Sequence, residues 1–130
     1  MKPGHPCIVG TWPFVSDLRT GAMSGGSGEQ GLLTAACAQM LQYYNLPGGA
    51  ASGMADSKMP DAQSGYEKGS TLVMAGLSGL NMVYEAAGMH ASLLGFCLES
   101  LIIDNDMLGQ CLRCVRGIEV NDQTIGIQVM

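Results

Sequence analysis

Three short apolar segments alternate with three helical patterns along this chain of 130 residues, and that alternation constrains the fold more than any other feature. Each short segment is bounded by glycine or proline, as buried strands often are. Between them, apolar residues recur at helical spacing. The predicted strands cover residues 6–11, 46–52 and 80–85, and the predicted helices cover about 28–44, 61–75 and 92–116. This order predicts the α/β class.

Strands that alternate with helices run parallel and are joined by right-handed crossovers. All strand-to-helix loops then open on one edge of the sheet. That edge collects residues 12–19, 53–58 and 85–90. Ligands of α/β proteins bind at this edge, so we expect the functional site there.

Local signals mark the ends of the predicted helices. Ser27 followed by Gln30 fits a capping box at the start of the first helix. Gly76, just past Ala75, and then Gly79 are expected to stop the second helix. The polar run at residues 104–106 is interpreted as a helix break, and the pattern leaves open whether one helix or two occupy the third region.

Two architectures fit this order of elements. One is a small doubly wound sheet, for which three strands make a poor core. The other is a segment of a (β/α)8 TIM barrel, which takes roughly 250 residues when complete. Three βα units are too few to close a barrel. We therefore interpret residues 1–130 as a single partial domain, a piece of something larger.

A charged stretch lies at the expected ligand edge. Between Asp56 and Lys68 the chain carries five charged side chains, although only 13% of the sequence is charged. A solvated loop and first helical turn would explain this pattern without any function. Its position after the second predicted strand favours a functional loop.

Composition argues against several classes of partner. A net charge of −5 without a Lys/Arg cluster argues against nucleic acid. No apolar run reaches the roughly 18 residues of a membrane span, and residues 1–6 lack the apolar core of a signal peptide. The five cysteines favour reduced, buried thiols over disulfides. We expect a cytoplasmic protein that binds neither nucleic acid nor membrane.

Three further patterns are weak. The CxxC at residues 111–114 has no second pair, which disfavours zinc or redox chemistry. The glycine-rich run at residues 24–28 lacks the ending of a P-loop and is interpreted as a flexible helix entry. Residues 104–106 lack the glycine and glutamate of a calcium loop. The sequence therefore predicts no metal bound by this chain.

Four stretches together resemble the trimethylamine methyltransferase family. They are Asp17-Leu18-Arg19-Thr20-Gly21, Asp56-Ser57-Lys58-Met59-Pro60-Asp61-Ala62-Gln63-Ser64-Gly65-Tyr66-Glu67-Lys68, Gly88-Met89 and Ile103-Asp104-Asn105-Asp106. The similarity covers roughly residues 7–121 and falls on the later half of longer proteins. It implies a (β/α)8 barrel and transfer of a methyl group from a methylated amine to the cobalt of a corrinoid (cobalamin) carried by a partner protein. For the full-length protein we expect a homo-oligomer.

Residues at the ligand edge are candidates for this chemistry. A methylammonium group cannot accept hydrogen bonds, so carboxylates and aromatic faces are its natural partners. We predict Glu67 and His90 as catalytic residues, although an ordinary surface histidine explains His90 equally well. The predicted substrate-binding residues are Trp12, Met54, Asp56, Lys58, Gln63, Tyr84 and Glu85.

Met54 bears on the identity of the amine. Some members of the resembled family carry pyrrolysine, an electrophilic imine, before the Asp-Ser-Lys-like string, and this position falls on Met54 here. Methionine cannot form an adduct with an amine. The departure points to a quaternary amine such as glycine betaine, whose nitrogen already bears a positive charge. The alternative is an inactive remnant or amine-binding module of the same barrel.

Overall fold

The computed structural model describes residues 2–127, which form a three-stranded parallel sheet, two short antiparallel strand pairs and three α-helices. In chain order the elements are β1 (Val9–Thr11), β2 (Val15–Ser16), β3 (Met23–Ser24), α1 (Gly28–Tyr43), β4 (Gly48–Ala51), α2 (Ala62–Leu77), β5 (Met82–Tyr84), β6 (Met89–His90), β7 (Gly95–Phe96) and α3 (Leu98–Arg116). The sheet order is β1-β4-β5, with Val9 opposite Gly48 and Gly49 opposite Met82. The α/β class and the three predicted parallel strands are confirmed.

The helices lie on one face of the sheet. A Cβ built on Gly48 would lie 2.3 Å from Leu41 Cδ1, so β4 approaches α1 closely at a residue that has no side chain. Val83 of β5 shares a groove with Leu72 of α2 and Leu108 of α3. Successive helices on one face, with strands in sequential order, are typical of a barrel wall, whereas a doubly wound sheet carries helices on both faces.

The opposite face of the sheet carries aromatic side chains. A Cβ on Gly10 would lie 3.4 Å from Tyr84 Oη, and one on Gly49 would lie 3.2 Å from Tyr84 Cε1, so the tyrosine ring lies across both glycines. The Tyr84 hydroxyl donates to the Thr11 carbonyl at 3.2 Å. Trp12 packs edge-on against the same ring, with 5.7 Å between the centroids. The two glycines leave room for this ring on the sheet.

The buried face of α1 differs from its apolar stripe. The Ser27 hydroxyl caps the helix by accepting the Gln30 N–H at 3.2 Å, as predicted. The Gln30 side chain does not complete the capping box; it is buried, and so is Thr34. Leu33 and Met40, which belong to the predicted stripe, are exposed. The buried residues of α1 are mostly small or polar, and the exception, Leu41, packs against Gly48 of β4.

Helix α2 continues past the glycine that was predicted to stop it. Gly76 lies inside the helix, and a Cβ there would lie 2.5 Å from Val115 Cγ2 of α3. This glycine therefore allows α2 and α3 to pack closely. The chain turns at Gly79, the second of the two glycines predicted to stop the helix, whose φ of 86° lies in the left-handed region. At the other end, Asp61 and Ser64 form a reciprocal capping box.

The third helical region is one continuous helix, and the predicted break at residues 104–106 is wrong. Helix α3 begins at Leu98, later than the predicted start near residue 92, because residues 95–96 form strand β7. From Leu98 it runs through the polar run without interruption. Asp104 is buried and paired with Lys68 of α2, with 2.6 Å between Oδ2 and Nζ. Asp106 accepts a hydrogen bond from the Gln110 side chain one turn later at 3.3 Å. Both carboxylates are thus satisfied inside a helix that local propensity disfavours.

The cysteines are free thiols, and the expectation that they are buried is correct only for Cys111. Cys7 and Cys114 are exposed, and Cys37 and Cys97 are half-buried. Burial raises the pKa of the Cys111 thiol, and the neighbouring Cys114 raises it further. Within residues 2–127, no helix is both long and apolar enough to cross a lipid bilayer.

We expect the isolated chain of 130 residues to self-associate. Within the described residues, β1 and β5 each pair with β4 alone, so each presents one unpaired edge. Exposed apolar side chains also line α1 and α3. Light scattering during size-exclusion chromatography should give a mass that rises with concentration. A sharp, reversible unfolding transition of a monomer would contradict this prediction.

Candidate functional site

The candidate site lies where the parallel strands end. The loop that follows β4 (residues 52–60, called the edge loop below) meets two other segments there. One is the entry to α1 at Ser24, Gly25 and Gly26, and the other is a turn at Ala91–Leu93 (called the left-handed turn below). Residues 53–58 were predicted at this edge, whereas residues 24–26 and 91–93 lie beyond the predicted segments 12–19 and 85–90.

Glu67 of α2 holds the backbone of the edge loop. Its carboxylate is buried, and Oε2 accepts the N–H groups of Asp56 at 2.8 Å and Ser57 at 3.3 Å. Oε1 accepts a hydrogen bond from Gln63 Nε2 at 2.8 Å. Both carboxylate oxygens of Glu67 are thus occupied, and the side chain ties the loop to the helix that follows it.

Asp56 joins the three segments of the site. Its Oδ1 atom accepts the N–H groups of Gly25 at 2.7 Å and Gly26 at 3.2 Å, together with the Ser92 hydroxyl. Its Oδ2 atom accepts the Ser24 hydroxyl. One carboxylate therefore links the entry to α1, the edge loop and the left-handed turn.

These contacts favour the ionised form of Asp56. Burial raises the pKa of the carboxyl, but the hydrogen bonds from Ser24, Ser92, Gly25 and Gly26 lower it by more, so the pKa lies below its ordinary value. A carboxylate with a lowered pKa in the folded state stabilises the fold above its unfolded pKa of about 4. This contribution disappears as the pH falls through the folded pKa.

Asp56→Asn should therefore reduce the acid sensitivity of the protein. We expect the free energy of unfolding of the unmodified protein to fall more steeply below about pH 4 than that of Asp56→Asn. The measurement is the urea midpoint as a function of pH. Asp122→Asn is the control, because Asp122 is exposed. Equal slopes for the unmodified protein and Asp56→Asn would contradict the prediction.

The left-handed turn is strained and is held by the edge loop. Ala91, Ser92 and Leu93 have φ angles of 50°, 50° and 78°. This left-handed region costs about 1–2 kcal/mol for each residue other than glycine. The Ala91 N–H donates to the Ser57 carbonyl at 2.9 Å, and the Ser92 N–H donates to the Ala55 carbonyl at 3.0 Å. These hydrogen bonds offset part of the strain, so the shape of the turn depends on the edge loop.

A buried ion pair lies beneath the edge loop. Lys68 is 1% exposed, and its Nζ lies 2.6 Å from Asp104 Oδ2. The same carboxylate oxygen accepts the Gly88 N–H at 2.7 Å. The pair therefore links α2, α3 and the segment before β6.

His90 is buried beside this ion pair. Its Nδ1 atom lies 3.1 Å from the Ser57 carbonyl oxygen. Its Nε2 atom lies 2.5 Å from Ser100 Oγ and 3.4 Å from Lys68 Nζ. The surface histidine considered as the alternative is wrong, because His90 is 2% exposed.

A pocket of about 360 Å³ opens between residues 21–23, the edge loop and the left-handed turn. Among the predicted site residues, Asp56 and Lys58 line it, so it carries one negative and one positive side chain. Its full lining consists of Gly21, Ala22, Met23, Asp56, Lys58, Ala91, Ser92 and Leu94. Its walls are otherwise mostly apolar or small.

Four other predicted site residues, Met54, Trp12, Tyr84 and Glu85, do not line this pocket. Met54 is fully buried beneath the entry to α1, where a Cβ on Gly25 would lie 3.3 Å from Met54 Cβ. Trp12 and Tyr84 form the aromatic pair on the face of the sheet opposite the helices. Glu85 follows β5, and its Oε2 atom is buried without a hydrogen-bond partner among residues 2–127.

Several residues of the site were not among the sequence predictions. Lys68 and Asp104 lie within the strings that carry the family resemblance, and that signal could have identified them. The three serines Ser24, Ser92 and Ser100 carry no local signal. Ser24 and Ser92 bind Asp56 across more than thirty residues of chain. Within residues 2–127, no three His, Cys, Asp or Glu side chains lie close enough to hold a metal ion.

Comparison with known proteins identifies the family. The family model described as trimethylamine methyltransferase (MTTB) matches residues 1–130. The chain belongs to this family. The resemblance noted for the string from Asp56 to Lys68 is thereby confirmed.

Relatives within the family carry two kinds of name. Trimethylamine methyltransferase MttB of Methanosarcina thermophila is 36% identical over 126 residues, which is 97% of this chain and 26% of the relative. The MttB protein of Methanosarcina barkeri (strain Fusaro) is 37% identical over 97% of this chain. Glycine betaine methyltransferase of Desulfitobacterium hafniense is 35% identical over all of this chain and 27% of its own length. The chain spans about a quarter of the length of these relatives.

Proposed function

We propose that this chain is a segment of a cytoplasmic, corrinoid-dependent amine methyltransferase, and that its three βα units form part of the wall of a (β/α)8 barrel. The observation that carries the proposed activity is the family match over residues 1–130. The sequential strand order and the helices on one face support the barrel. Further βα units would cover the exposed stripe of α1 and pair with the free edges of β1 and β5.

We propose a quaternary amine as the substrate. The position at which some family members carry pyrrolysine holds Met54 here, and a thioether offers no electrophile to an amine. A quaternary nitrogen needs no such activation because its positive charge already makes the attached methyl group susceptible to a nucleophile. The relative named glycine betaine methyltransferase matches this chain as well as the relatives named for trimethylamine do.

The charges in the pocket suit a quaternary amine that also bears a carboxylate. A trimethylammonium group donates no N–H hydrogen bond, so Asp56 can attract it by charge although its own lone pairs already accept four hydrogen-bond donors. Lys58 lines the same pocket and can pair with a substrate carboxylate. We therefore propose that Asp56 and Lys58 together bind and orient a zwitterionic substrate in this pocket.

The pocket is accessible to a partner protein. Leu94 at its rim is 90% exposed, and Lys58 is exposed as well, so a group carried by a second protein can approach the substrate. The corrinoid of that partner would supply a nucleophilic cobalt that accepts the methyl group. The substrate nitrogen keeps the electron pair of the broken carbon–nitrogen bond and leaves as a neutral tertiary amine. No residue of this chain is then required to protonate the leaving group.

A second candidate is an inactive remnant that binds an amine without transferring a methyl group. The remnant would retain the pocket and would bind a quaternary amine without turnover.

The test is methylation of a reduced corrinoid protein by the complete polypeptide that contains this segment. We expect turnover of glycine betaine and none of trimethylamine. Lys58→Ala should raise KM for glycine betaine about tenfold, through loss of a charge-assisted contact, and leave KM for tetramethylammonium nearly unchanged. Turnover of trimethylamine but of no quaternary amine would overturn the proposed substrate. Binding of glycine betaine without turnover would support the remnant.

A further inference from the structure

The imidazole of His90 is enclosed beneath the edge loop, and the structure assigns its tautomer. The Ser57 carbonyl oxygen near Nδ1 can only accept a hydrogen bond, so Nδ1 carries the proton. In the neutral ring Nε2 is then an acceptor. Lys68 Nζ at 3.4 Å and Ser100 Oγ at 2.5 Å can both donate to it. The neutral Nδ1–H ring satisfies all three contacts.

The buried Lys68–Asp104 ion pair contributes to the position of His90. An ammonium group that is 1% exposed is costly unless it is paired, and Asp104 supplies the pairing charge at 2.6 Å. A buried ion pair is often no more stabilising than well-packed apolar residues, so its contribution is better sought in geometry. Here the pair places a donor beside His90 Nε2 and also fixes the Gly88 N–H.

The two peptide groups that flank Ser57 are both held by hydrogen bonds. Glu67 accepts the Ser57 N–H, and His90 together with the Ala91 N–H donates to the Ser57 carbonyl oxygen. The residues immediately before and after Ser57 are Asp56 and Lys58, which line the pocket. A shift of the Ser57 carbonyl would therefore move both charged side chains.

We infer that His90 is a positioning residue for the proposed amine pocket, acting through the Ser57 carbonyl, with Lys68, Asp104 and Ser100 holding its other ring nitrogen. This inference rests on the proposed function. It differs from the acid–base role predicted from sequence, because both ring nitrogens already have partners within the fold. It also agrees with the chemistry of a quaternary substrate, whose tertiary amine product leaves without a proton.

Two substitutions of His90 separate the positioning role from an acid–base role. The Nδ2 group of asparagine can take the place of histidine Nδ1, whereas the side-chain amide of glutamine reaches toward the position of Nε2. His90→Gln should raise KM for glycine betaine about tenfold through loss of the Ser57 contact, with a smaller effect on kcat. His90→Asn should restore most of that loss. Neither variant should change the shape of the pH profile of kcat/KM.

The tautomer provides a readout that does not depend on methyl transfer. In the complete enzyme with 15N-labelled histidine, the resonances that disappear in His90→Asn should be those of a neutral Nδ1–H ring. An Nε2–H ring would overturn the inference, and so would equal losses in both variants with a flattened pH profile. If none of the amines tested acts as a methyl donor to the corrinoid with the unmodified enzyme, the proposed function fails. The positioning role would then be tested separately, by the 15N spectra of His90 and by calorimetric measurement of glycine betaine binding to the two variants.

Discussion

Gly26→Ala should destabilise the protein by about 1–3 kcal/mol, because the added methyl group has no room. A Cβ at this position would lie 2.9 Å from the Cβ, Cδ and Oε2 atoms of Glu67. The Cβ of Glu67 is fixed to helix α2 and cannot swing aside. The Gly26 N–H also donates to Asp56 at 3.2 Å, so a shift of this backbone would weaken the link between the entry to α1 and the edge loop.

The measurement is the guanidinium midpoint of the complete polypeptide with and without the substitution. Gly28→Ala is the matched control, because a Cβ on Gly28 meets nothing within 4 Å and the residue is the first of α1. Alanine favours the helix there, so the control should be neutral or slightly stabilising. Equal destabilisation by both substitutions would show that the Glu67 contact does not limit this position.

Glu67→Ala should have the largest effect on the site. Removal of the carboxylate leaves the N–H groups of Asp56 and Ser57 without their acceptor, and each such loss costs about 1–3 kcal/mol when the group is buried. The edge loop should lose its fixed shape, and methyl transfer from the amine should fall by at least about tenfold. Resistance of the edge loop to proteolysis should fall in parallel with kcat/KM.

Glu67→Gln distinguishes shape from charge at the same position. The amide oxygen of glutamine can still accept the two backbone N–H groups, but its NH₂ group would face the donor Nε2 of Gln63. We expect a folded protein with weakened methyl transfer and a smaller loss than in Glu67→Ala. Glu29→Gln is the control, because Glu29 lies exposed in the first turn of α1. Kinetics unchanged by Glu67→Gln would exclude a role for the charge of Glu67 in the site.

The elements themselves could be predicted because their signals are local. The three parallel strands are short apolar runs, Ser27 caps α1 as its spacing predicts, and α3 ends just before Gly117. The gathering of loops at one edge follows from parallel strands and right-handed crossovers, which hold for nearly all such folds. The string from Asp56 to Lys68 identified the family before any contact was known.

Errors arose wherever the deciding partner lies far along the chain. Gly76 has the local signature of a helix stop, but it lies within α2, where Val115 of α3 packs against it. The polar run at residues 104–106 reads as a break, but Lys68 neutralises Asp104 across 36 residues. Leu33 and Met40 fit the apolar spacing of α1 but are exposed, whereas Leu41 is buried against Gly48 of β4.

The sequence by itself determined the order and class of the three parallel strands and three helices, and the family, because these follow from spacing within a few residues and from one long string. The short strands β2, β3, β6 and β7 carry no such pattern. Only the tertiary structure decided the roles of the site residues. Glu67 and His90, predicted as catalytic residues, are buried and bonded to the backbone of the edge loop, and Met54 is buried as well. Such roles depend on which atoms meet across the fold, and hydrogen bonds between Asp56 and serines more than thirty residues away leave no pattern in the chain.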